Sequence, residues 1–130
     1  MMERQNISSG TKWEKIVGYS RAVRMGPFVY LSGTTAVDES GNLVGIGDPY
    51  AQASYIFKKI EKALHQAEAS LKDVVRVRMY LTNVSHWEAV CQAHSEALGE
   101  VLPVSTLVEV SALIEPEMLV EIEVDAVVAN

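Results

Sequence analysis

Residues 103–126 read PVSTLVEVSALIEPEMLVEIEVDA, and the last third of that stretch decides how the chain folds. Val120, Ile122, Val124 and Ala126 alternate with Glu121, Glu123 and Asp125, the two-residue period of a strand with one apolar and one polar face. A strand is predicted from Met118 to Val128, and another before it from Val104 to Ser111. The run 74–81 (VVRVRMYL) follows the same rule: Val75, Val77, Met79 and Leu81 oppose Arg76, Arg78 and Tyr80.

The segments between and before these strands carry the helical period. Asp48-Pro49 is a helix start, an acceptor side chain at the cap followed by a proline whose missing N–H is not needed there. Ala53, Ile56, Phe57, Ile60, Leu64 and Ala67 follow at helical spacing, with Lys58, Lys59, Glu61 and Lys62 opposite. Ser85-His86-Trp87-Glu88 has the spacing of a capping box and predicts a second helix to about Leu98, with Trp87, Val90, Cys91, His94, Ala97 and Leu98 inward. Toward the N-terminus, Tyr19–Arg24 and Phe28–Ser32 read as strands of a hairpin turning at Met25-Gly26-Pro27. Residues 1–15 are polar and read as an irregular arm docked by Trp13, while Gly41–Gly47 lack phosphate-loop spacing and read as a turn.

The predicted order is strand, strand, helix, strand, helix, strand, strand: one α+β domain over residues 1–130, with two helices on one face of a sheet. The other face would carry Arg76, Arg78, Glu121, Glu123 and Asp125 beside Val23, Leu107, Leu119 and Tyr80. Mixed charges among large apolar groups suit burial against another subunit, where the charges pair, so an oligomer is expected.

Composition narrows the function classes. Seventeen acidic against 11 basic residues give a net charge of −6 with no Lys/Arg-rich run, which argues against a nucleic-acid partner. The single cysteine, Cys91, precludes an internal disulfide and fits a reducing cytosol, and the first residues lack the apolar stretch of a signal peptide. No window approaches the roughly 18 apolar residues of a membrane span, so a cytoplasmic protein with no membrane partner is expected. His65, His86 and His94 have no metal-ligand spacing, and no metal is expected.

Gly26–Ala36 (GPFVYLSGTTA) and Pro103–Ala126 together resemble the reactive intermediate deaminase (Rid) family, also called YjgF or endoribonuclease L-PSP, over roughly residues 17–128. The resemblance implies a homotrimer of chorismate-mutase-like fold, a two-layer sandwich with one mixed sheet, and a small-metabolite pocket at each subunit interface. It also implies hydrolysis of an imine or enamine by a glutamate-positioned water without a cofactor. By position, Tyr19 falls at the family's pocket tyrosine, Ser32 and Gly33 at its backbone contacts, and Glu121 at its catalytic glutamate. Cys91 stands where many relatives have a polar helix residue, and Leu107 where many have a cysteine. Deaminating members read Pro-Ala-Arg-Ser/Thr after the second helix, and that arginine holds the carboxylate of a 2-imino acid. This chain has Pro103-Val104-Ser105-Thr106. A hydroxyl cannot replace a guanidinium fork, so a subgroup lacking the arginine is implied, with slow or absent 2-imino acid hydrolysis.

The residues themselves leave alternatives. Glu121 reads as a ligand-facing carboxylate with a raised pKa, or as an interface partner of Arg76 or Arg78. Tyr19 is a pocket or an interface aromatic. Cys91, mid-helix and three residues from His94, reads as core or pocket wall rather than as a nucleophile. Arg21 shares a strand face with Tyr19, and either replaces the missing anion anchor or is an ordinary surface or interface arginine. Two function classes remain. One is a trimer hydrolysing an imine, enamine or amino-muconate-like compound with water positioned by Glu121; the other is a non-catalytic ligand-binding or protein-interaction trimer. Ribonuclease activity is disfavoured by the charge.

Overall fold

The computed structural model describes residues 2–129. The elements are β1 (Arg4–Ile7), α1 (Lys12–Val17), β2 (Ala22–Met25), β3 (Phe28–Leu31), α2 (Pro49–Gln66), β4 (Val74–Leu81), α3 (Trp87–Leu98), β5 (Val104–Glu109) and β6 (Val120–Val127). They build a six-stranded mixed sheet in the order β1-β2-β3-β6-β4-β5. Neighbours are antiparallel except β4 and β5, whose parallel pairing requires a crossover, and α3 supplies it. The α+β class and the mixed sheet match the expectation from sequence.

The core lies between the sheet and the pair α2/α3. Ile56, Ile60 and Leu64 of α2, Val90 and Leu98 of α3, and Val77, Leu81, Val120, Ile122 and Val124 of the strands are all buried. Each fully buried side chain of this size stabilises the fold by about 1.5–3 kcal/mol before entropy is counted. Asp48 caps α2 by accepting from the Ala51 N–H at 3.0 Å, with Pro49 in the first turn, as its sequence predicts. Gln52, fully buried on the same helix, donates to the Glu117 carbonyl at 3.0 Å and accepts from the Leu119 N–H at 2.9 Å. It thereby fixes the chain entering β6.

Four local expectations are corrected. The first 15 residues are not an irregular arm: β1 pairs with β2, Arg4 opposite Met25 through Ile7 opposite Ala22, and α1 follows it. A four-residue polar strand is stable only through its partner, which no local pattern reports. Ser85 is not a capping-box residue, because its hydroxyl donates to Asn83 Oδ1 at 2.7 Å and Asn83 caps a single turn of tighter helix over 84–86. As a result Trp87 is turned outward, and the inner face of α3 is Val90, Ala93 and Leu98. In β4 a register shift between Val74 and Arg76 buries Val74 and exposes Val75. Leu107 leaves the open face: it lies in register with Met79 and packs against the helix-side core.

On the open face, β4 and β6 form a charged ladder. Tyr80 lies opposite Glu121, Arg78 opposite Glu123 and Arg76 opposite Asp125. Arg78 reaches Asp125 at 3.5 Å and Glu123 at 4.0 Å, Arg76 reaches Asp125 at 3.9 Å, and the Tyr80 hydroxyl donates to Glu123.

Candidate functional site

Beyond Leu31 the chain leaves β3 and forms a bridge with β6, in which Thr34 N–H donates to the Ile122 carbonyl at 2.8 Å and Ile122 N–H to the Thr34 carbonyl at 3.0 Å. This bridge sets Gly33 against Glu121. A Cβ at position 33 would overlap Glu121 Oε2, so only glycine lets the carboxylate lie here. Glu121 is half-buried, and burial pushes its carboxyl pKa upward; Arg21 opposes that shift and Glu123 adds to it. Among the described residues Glu121 makes no ion pair, because Arg76 and Arg78 are directed to Glu123 and Asp125.

Glu121 lines a cavity of about 690 Å³. Tyr19, Arg21, Ser32 and Gly33 line it as well, so five of the residues singled out from sequence meet in one place. The outer wall comes from Trp13 and Val17 of α1 and from Ile114 before β6. Arg21 points inward rather than to bulk solvent and is only 6% exposed. Its Nη1 donates to the Gly33 carbonyl at 3.1 Å and to Thr34 Oγ1 at 2.9 Å, and its guanidinium carbon lies 5.7 Å from the Tyr19 ring centroid. Behind it, Arg21 Nε is 4.0 Å from Glu14 Oε2. Burial works against the charge on Glu14, but hydrogen bonds from Ser9 and Ser8 outweigh it and hold that carboxyl below its ordinary range. The Ser32 hydroxyl donates to the Ser20 carbonyl at 2.7 Å, bracing the strand ends that carry Arg21 and Gly33.

Three residues singled out from sequence do not reach this cavity within one subunit. Ser105 is exposed on β5, which β4 separates from β6, a displacement of roughly 10 Å at the usual strand spacing. Leu107 is partly buried against the core. Cys91 is half-buried on α3, where burial pushes its thiol pKa up and keeps it protonated. His94 is likewise driven toward its neutral form by burial and stands edge-on to Phe57 at 5.9 Å. Among the described residues, no group of three or more His, Cys, Asp or Glu is arranged to hold a metal ion, and no helix is long and apolar enough to cross a membrane.

Among the cavity residues that sequence reasoning missed is Lys59. It was expected on the polar face of α2. Instead its Nζ donates to the Thr35 carbonyl at 2.7 Å and to the Val37 carbonyl at 2.8 Å. The available signal was its spacing, three residues after Ile56 and four before Ala63, which sets it on the border of the buried stripe. Burial and then Arg21 lower its pKa to about 8, with Asp38 opposing them.

Comparison with known proteins agrees with this architecture. The crystal structure of Rv2704 from Mycobacterium tuberculosis, described as a member of the YjgF/YER057c/UK114 family, is 48% identical, covers 97% of this chain and 100% of its own, and superposes with a TM-score of 0.89. The uncharacterized protein SCO2049 of Streptomyces coelicolor is 36% identical over 122 residues, 94% of this chain and 90% of its own. The 3-aminoacrylate deaminase RutC of Acinetobacter baylyi is 33% identical over 104 residues, 80% of this chain and 82% of its own. The family model described as Endoribonuclease L-PSP matches residues 10–128, nearly the whole described chain, and the protein therefore belongs to that family, the YjgF/Rid family of its structural relatives.

Proposed function

We propose that this chain binds a small carboxylate-bearing enamine or imine in the cavity and hydrolyses it, with Glu121 acting on the attacking water and Arg21 holding the anionic group. One observation carries the reading: a half-buried carboxyl with a raised pKa and a buried arginine line the same cavity. The ionised Glu121 accepts a proton from water as the water oxygen bonds to the carbon of a protonated C=N group. The resulting carbinolamine takes the proton back on nitrogen, and as the C–N bond breaks ammonia leaves while Glu121 accepts the hydroxyl proton, giving the carbonyl product. A protonated imine is already electrophilic, so the attack asks of the protein only positioning and one proton transfer. The relative RutC, a 3-aminoacrylate deaminase, supports the enamine class.

In this reading Arg21 takes over the work for which Ser105 is unsuited, and the functional unit is a homotrimer whose neighbouring subunit closes the cavity. The open charged face, with Val104 and Val108 exposed on the edge strand, supports assembly. Sedimentation showing a stable monomer at micromolar concentration would refute the trimer. Turnover is tested by semicarbazide competition with 3-aminoacrylate and with 2-iminopropionate, each generated in place. The protein should accelerate loss of the enamine and act weakly on 2-iminopropionate, and Glu121→Gln should lower the rate by about 10²-fold or more. Ligand binding with no rate above background would support a non-catalytic binding trimer instead.

A further inference from the structure

We propose that Lys59 is a second cationic contact in the cavity and that the ligand therefore carries two anionic groups, as an imino- or enamino-dicarboxylate does. This rests on the cavity being the ligand site and adds a substrate class to it. Lys59 projects from the middle of α2 onto the segment 35–37, where its ammonium donates to two carbonyls. An ammonium has three N–H donors, so one remains for a ligand. Arg21 holds the adjoining part of the same segment through the Gly33 carbonyl and Thr34 Oγ1. Two cations therefore stand along five residues of one cavity wall.

Such a pair is electrostatically unfavourable alone, and Arg21 does help to depress the Lys59 pKa. Asp38 opposes that shift, but among the described residues no carboxylate pairs directly with Lys59. Asp38 accepts from the Ser40 and Asn42 N–H groups of its own turn, both at 2.9 Å, and Glu39 pairs with Lys62 at 2.8 Å. Glu14 is held by serines behind Arg21, and Glu121 makes no ion pair among the described residues. None of the ion pairs among the described residues involves Lys59. An anionic ligand supplies the missing charge: one carboxylate to Arg21, the other to the free hydrogen of Lys59. A lysine that only stapled the segment would be indifferent to a second carboxylate.

Calorimetric titration of the full chain with 2-oxobutyrate and 2-oxoglutarate, stable carbonyl analogues with one and two carboxylates, separates these accounts. The unaltered protein should bind 2-oxoglutarate about tenfold or more tightly, the worth of one hydrogen bond to a charged group. Lys59→Met should abolish that preference, bringing the two affinities to within about twofold of each other, and Lys59→Arg, which keeps charge and donors, should retain it. Equal affinity of the unaltered protein for the two keto acids overturns this inference and leaves the cavity reading standing. Binding of neither overturns both.

Discussion

The inner and outer sides of β6 belong to the same eight residues and follow different physics. Inward, Val120, Ile122 and Val124 are wholly buried under α2, and any apolar side chain of suitable volume would serve. Outward, three carboxylates at identical spacing meet two different fates. Asp125 and Glu123 are paired by Arg76, Arg78 and Tyr80. Glu121 lies opposite Tyr80, yet that tyrosine's hydroxyl goes to Glu123, and the Thr34–Ile122 bridge sets Glu121 against Gly33 and the cavity instead. The inner face depends on volume and the outer face on which strand lies alongside. Chemistry is available where the neighbouring strand does not neutralise the charge.

The largest effect should come from the inner side. Ile122→Ala removes a fully buried side chain and should lower stability by about 2–5 kcal/mol in urea unfolding. A loss below about 1 kcal/mol would mean that this face is loosely packed, and the comparison would break.

Glu121→Gln should give a smaller effect of distinctive sign. The folded-state pKa of Glu121 lies above its ordinary value of 4.5, so the folded protein holds that proton more tightly than the unfolded chain. Stability therefore falls as pH rises from about 4.5 through the raised pKa, and is lowest where Glu121 is ionised. The variant should gain on the unaltered protein over that window and match it at lower pH, as read from unfolding free energies across a pH series. A paired Glu121 would give the opposite slope.

The smallest change in subunit stability is expected of Arg78→Ala. Its ion pairs are partly exposed and span 3.5–4.0 Å, worth less than about 1 kcal/mol. If the open face is buried in a trimer, the same substitution should instead appear as dissociation in sedimentation, because it leaves carboxylates unpaired in an interface. A large loss of subunit stability at unchanged mass would show that the two faces are not energetically distinct.

Periodicity is a local property, and so α2, β4, α3 and β6 were legible from the sequence, together with the cap at Asp48 and the burial of Ile56, Ile60 and Leu64. The family resemblance likewise pointed to Tyr19, Ser32, Gly33 and Glu121, and strand alternation from Tyr19 pointed to Arg21. What depends on a distant partner was not legible. β1 exists because β2 lies beside it, and Glu14, which anchors α1, finds its donors in Ser8 and Ser9. Lys59 faces a cavity because the chain beyond β3 crosses its helix and offers two free carbonyls.

By itself, then, the sequence determined which residues of β6 alternate and which face of α2 is apolar, since those patterns follow from backbone geometry within a few residues. It also determined that residue 105 has no guanidinium to offer. Only the tertiary structure decided which of three equivalent carboxylates is left for chemistry and which cations share its cavity, because long side chains are directed by the hydrogen-bonding groups that other elements bring to them. The same serine at 105 and the same lysine at 59 would read identically in a chain whose strands were paired in another order.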